Sequence, residues 1–95
     1  MNHEETAKRI VAIMEACGLS IRDAAAAFGV SANTVVRLKG VANGSAEHTM
    51  YFKTLAHLAA VVRVLDKENA GSDLYTRVAL SKDKVAMLEQ VIRQA

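Results

Sequence analysis

Apolar residues recur at helical spacing through most of this chain, and glycine, serine and asparagine interrupt them at intervals. Ile10, Ile13, Met14 and Cys17 mark one face of a first helix from about Glu4 to Cys17, and Gly18 suits its left-handed end. Ser20, followed three residues on by Asp23, has the pattern of a capping box and opens a second helix, "IRDAAAAF", that stops at Gly29. Ser31 is the next cap, and "ANTVVRLK" becomes a third helix closed by Gly40. "VANGSAEH" reads as a loop with a turn at Asn43-Gly44. A fourth helix is expected from about Thr49 to Leu65, with Phe52, Leu55, Leu58, Ala59 and Val62 as its apolar stripe. "DKENAGSD" reads as a second polar connection. A short helix near 73–79 and a last one near 82–94 complete the chain, the last capped by Ser81 and striped by Val85, Leu88, Val91 and Ile92.

These elements predict an all-α fold: a compact domain of four to six helices around a central pair at about 20–28 and 32–39, with a C-terminal helical extension. Residues 1–66 are expected to form the main domain, and 67–95 an extension packed on it. Composition agrees. The 95 residues contain no proline, are 52% hydrophobic and only 4% aromatic, which favours helices over sheet. Cys17 is the sole cysteine, so no disulfide forms within the chain, and it reads as a small buried apolar side chain. The start, "MNHEETAKRI", lacks the apolar core of a signal peptide, and no run approaches the ~20 apolar residues of a membrane span. A reducing, cytoplasmic setting is expected.

The formal charge of +2 decides little, but its distribution adds something. Residues 1–47 carry five basic and five acidic side chains, and residues 48–95 seven against five. Within residues 18–41, Arg22, Arg37 and Lys39 stand against Asp23 alone. Such a local excess suits phosphate contacts, and a solvated helix face carries a similar one.

The stretch "RDAAAAFGVSANTVVRLKG" joins two short helices through Gly29, Val30 and Ser31, the layout of a helix-turn-helix. Helices that cross closely need small side chains at the crossing, and Ala24 and Ala25 provide them. The turn needs a positive φ, which glycine adopts without a Cβ clash. Phe28, Val30, Val35 and Leu38 complete an inward seam. The outward face of the third helix is then Ala32, Asn33, Val36 and Arg37, with Gly40 at its end. In a major groove arginine pairs with both guanine acceptors, asparagine with both adenine groups, and Ala32 or Val36 suits a thymine methyl. Ser31 and Thr34 stand at the helix N-terminus, where phosphates bind.

"LSIRDAAAAFGVSANTVVRLKG" resembles the helix-turn-helix of phage-repressor and Cro-like (XRE-type) regulators. The small residue, turn glycine and inward apolar positions of that family match Ala24 or Ala25, Gly29, and Val30, Val35 and Leu38. The resemblance covers roughly residues 5–65 and includes the helix before the motif and "FKTLAHLAAVV" after it. It implies base reading by Ala32, Asn33, Val36 and Arg37, and backbone contacts from Ser31 and the loop at Asn43. Members often carry glutamine where Ile21 stands, so Arg22 is expected to take that phosphate contact. The loop "GVANGSAEHTMY" departs from the family pattern. "SANTVVRLKG" also resembles the DNA-binding segment of insertion-sequence transposases, whose catalytic domain would not fit in 95 residues.

The remaining chemistry is sparse. His3, His48 and His57 lack the spacing of a metal site, and His57 reads as a partly buried polar residue. Glu4, Glu5 and Glu15 read as a solvated face. No phosphate loop, nucleophile elbow or carboxylate pair appears, so neither an enzyme nor a cofactor is expected. The last stripe, Val85, Leu88, Val91 and Ile92, serves either the monomer core or a symmetric seam. A homodimer through this extension is the expectation, because pairing sets two recognition helices one DNA turn apart. The function expected is a dimeric, sequence-specific transcription regulator from a mobile element or bacterial chromosome. It would bind double-stranded DNA at a short inverted repeat and repress a promoter, with Arg37 and Asn33 reading bases and Arg22, Ser31, Thr34 and Lys39 on phosphates. The competing readings are a protein-interaction module, such as an antitoxin or antiactivator, and a recombination accessory protein. The operator, the sign of regulation and any small-molecule effector stay open.

Overall fold

Local signals start and stop the first three helices much as the pattern predicts. The computed structural model describes residues 1–44 and 50–95. The first helix, α1 (His3–Cys17), begins at Asn2, whose side-chain oxygen accepts from the Glu5 amide at 2.8 Å, and ends on Gly18 at φ 67°. α2 (Ile21–Phe28) starts where Ser20 Oγ accepts from the Asp23 amide at 3.0 Å, and it ends on Gly29 at φ 70°. α3 (Ala32–Ala42) starts where Ser31 Oγ accepts from the Thr34 amide at 3.1 Å. It runs through Gly40, the position expected to close it, because Val41 buries on the same side as Val35 and Leu38 and draws the helix on.

Larger differences come after the loop. α4 (Phe52–Ser72) is much longer than its apolar stripe suggested, and the expected start at Thr49 lies outside the described residues. "DKENAGSD" is helix up to Ser72, not a connection. Its polar residues are held by tertiary bonds: Asp66 accepts from Arg9 and from the Tyr75 hydroxyl, and Asn69 Oδ1 accepts from the Tyr75 amide at 2.8 Å. Asp73, left-handed at φ 58°, makes the sharp joint to α5 (Leu74–Leu80). α6 (Lys84–Arg93) closes the chain. Asp83, not Ser81, caps it, accepting from the Ala86 amide at 3.1 Å, while Ser81 Oγ accepts from the Asp83 amide. The fold among the described residues is therefore all-α, with six helices and no strand.

One core runs through all six. α1 packs on α3, α4 and α5; α2 packs on α3 and α6; α4 also meets α5 and α6. Ile10, Ile13, Phe28, Leu38, Leu58, Leu65, Leu74 and Leu88 are its largest fully buried side chains. The radius of gyration, 12.3 Å, is that of one closed body of this length, about 12 Å. The expected boundary at residue 66 falls inside α4, and the segment beyond it contributes Leu74, Val78 and Leu88 to the common core.

Two polar devices fix the C-terminal half. The Arg9 guanidinium meets Asp66 through Nε at 3.2 Å and Nη2 at 2.7 Å, joining α1 to α4. The pair is half exposed and contributes about 1 kcal/mol or less. Lys84 Nζ donates to the carbonyls of Ala79 and Ser81 at 2.8 and 3.0 Å, so a cation closes the C-terminal end of α5.

Candidate nucleic-acid interface

The helix pair α2–α3 is built from small residues inward and mixed residues outward. Ala24, Ala25, Ala27 and Phe28 of α2 are buried, as are Val35, Leu38 and Val41 of α3. Between them Gly29 turns left-handed, and the Val30 amide donates to the Ala25 carbonyl at 3.0 Å, closing the helix end. Val30 is half-buried and packs against the core, as its inward placement in the seam requires. A bond that no local signal announces braces this turn from outside. His57 Nε2 of α4 lies 2.7 Å from the Phe28 carbonyl, at the C-terminal end of α2, where Nε2–H donates. His57 is thus tied into the turn by a partner 29 positions away in sequence.

On the opposite side of α3 the outward set is displayed. Ala32, Asn33, Val36 and Arg37 are all exposed, Val36 by 49%. Positions 33 and 37, and 32 and 36, are four apart, so the four residues share one strip of the helix. Lys39 is exposed further along α3, Arg22 in the first turn of α2, and Asn43 at the end of α3, where its amide donates to the Lys39 carbonyl. Among the described residues no acidic side chain forms an ion pair with Arg22, Arg37 or Lys39. The first turn of α3 holds no acid, so nothing there offsets the positive end of the helix dipole.

Ser31 and Thr34 have a local duty. Ser31 Oγ takes the Thr34 amide and lies 2.9 Å from Thr34 Oγ1, so the two hydroxyls bond each other while they start the helix. The amides of Ala32 and Asn33, in the first turn, have no acceptor within the helix and point along its axis.

The C-terminal stripe is not displayed in this way. Leu88 is fully buried in the monomer core, and Val85, Val91 and Ile92 are half-buried against it. The expectation that Leu88 stands in a dimer seam is therefore corrected: α6 lays that face on α2 and α4 of its own chain. Phe52 reverses in the other sense. Expected in the apolar stripe of α4, it is 83% exposed and lines an open groove with Met1, in the first turn of α4 and ahead of Leu58, where the helix enters the core.

Among the described residues two buried groups have shifted titration. Burial pushes the Cys17 thiol up to about 11, with nearby Lys84 pulling weakly the other way. The Tyr75 phenol is raised by burial and by its hydrogen bond to Asp66. Among the described residues no three His, Cys, Asp or Glu side chains are grouped to hold a metal ion; His3 is exposed on α1, and His48 lies outside the described residues. No helix among them is long and apolar enough to cross a membrane. Comparison with known protein families, with curated proteins and with solved structures finds no match.

Proposed function

We propose that the chain is a sequence-specific DNA-binding regulator of the helix-turn-helix type, with α3 as the helix that enters the major groove. The observation that carries this reading is the exposed strip Ala32, Asn33, Val36 and Arg37, backed by a buried seam and flanked by Arg22 and Lys39, which form no ion pair among the described residues. The side chains on the strip are short apart from Arg37, so the helix backbone can approach base edges closely. Arg37 takes a guanine through O6 and N7, Asn33 an adenine, and Val36 a thymine methyl. Arg22, Lys39, Asn43 and the N-terminal amides of α3, with Ser31 and Thr34 at its start, take phosphates and fix the register. Two such helices, brought together in a homodimer, would read an inverted repeat and repress by covering a promoter.

Fluorescence anisotropy with a labelled duplex tests the reading. Affinity should fall steeply between low and moderate salt, because several phosphate contacts release counterions. Arg37→Ala should lose about 1–3 kcal/mol on the preferred duplex and discriminate less at one base pair. Equal affinity of wild type and Arg37→Ala for preferred and scrambled duplexes would remove the assignment. Binding that ignores salt would favour a protein partner instead.

A further inference from the structure

Five large apolar side chains stand well out in solvent among the described residues: Met1, Val36, Tyr51, Phe52 and Leu80. Val36 belongs to the strip already described. Met1 and Phe52 come together, and with Leu55, Ala56, Ala59 and Arg63 they line an open groove along α4. Phe52, Ala56, Ala59 and Arg63 are spaced four, three and four apart, so they form one face of that helix. Tyr51 and Phe52 are 80% and 83% exposed at its start.

We propose that this face docks a second copy of the chain, α4 lying antiparallel on the other copy's α4 across a two-fold axis. Each Phe52 ring would enter the groove of the other copy beside Ala56 and Ala59. A projecting aromatic and a shallow notch one and two turns along the same helix are what a two-fold contact needs, since one patch must supply both halves of the fit. The area suffices. Two exposed aromatics from each copy bring on the order of 600 Å². Met1, Leu55 and the Arg63 stem carry this towards the ~1,200 Å² at which specific interfaces begin. Charge favours a like surface as well. The adjoining cleft between α1 and α4 carries Lys8, Arg9 and Arg63 beside Glu5 and Asp66, a mixture that suits neither a polyanion nor a polycation. On α6, the other symmetric seam the sequence offers, Leu88 lies in the monomer core and Val85, Val91 and Ile92 are half-buried against it. This surface stands independently of the DNA reading, which it would complete by pairing two α3 helices.

Sedimentation equilibrium of the full chain from low to high micromolar concentration is the test. The wild type should reach twice the chain mass. Phe52→Glu, and separately Ala56→Arg, should stay at the single-chain mass with unchanged helical circular dichroism and melting temperature. Both positions are exposed, so neither change enters the core. Val36→Glu and Leu80→Lys should remain dimeric. A wild type that stays monomeric throughout, a dimer that survives both α4 variants, or one broken by Leu80→Lys instead overturns the proposal. A monomeric wild type whose duplex binding falls in Phe52→Glu would overturn it too, assigning the ring to DNA. A dimer that binds no duplex keeps this surface and discards the DNA reading.

Discussion

Cys17 shows how a single side chain reports on the whole body. It is fully buried on the core side of α1, and its thiol is held up to about 11 against an ordinary value of 9.0. The folded state therefore keeps a proton that the unfolded chain gives up above pH 9.0. Stability is level below that value and falls as pH rises towards about 11. The Tyr75 phenol, raised by burial, acts in the same sense. Denaturant melts at stepped alkaline pH should show this decline, and Cys17→Ala and Tyr75→Phe should each flatten it. At neutral pH, alkylation of Cys17 should proceed only as fast as the protein opens. A thiol that reacts freely in native buffer would contradict its burial. The outward residues of α3 were legible at this scale: once Val35 and Leu38 face inward, the helical period places Asn33 and Arg37 outside. His57 was not, because its partner is a backbone carbonyl brought near only by the folded chain.

Helix starts and stops that rest on neighbouring residues were legible: Ser20 and Ser31 begin helices, Gly18 and Gly29 end them. The end of α4 was not. Gly71 and the polar run before it signal a loop, yet Asp66 and Asn69 are fastened to Arg9 and Tyr75, and the helix ends at a left-handed Asp73 instead. An amphipathic stripe also says that a face is covered without saying by what. That ambiguity separates the expected role of α6 from the observed one. Because Leu88 is fully buried in the monomer, Leu88→Ala should cost about 2–5 kcal/mol in chemical denaturation. Its effect on the mass of the native species should be nil. Loss of a dimer at unchanged stability would return α6 to the seam first expected of it.

At the scale of the molecule, the six helices serve to hold α3 against α1 and α2 while leaving its far side open. α6 supports α2 from behind, and His57 ties α4 to the turn, so the helix pair is braced on two sides by segments distant in sequence. Such bracing suits the proposed reading, in which α3 meets a duplex with its geometry already set. Selection of bound sequences from a random duplex pool probes this central claim most directly. The account predicts a compact consensus arranged as an inverted repeat, with one base pair in each half-site losing its preference in Arg37→Ala. Recovery of an unenriched pool by the folded wild-type chain, at low salt, would contradict it.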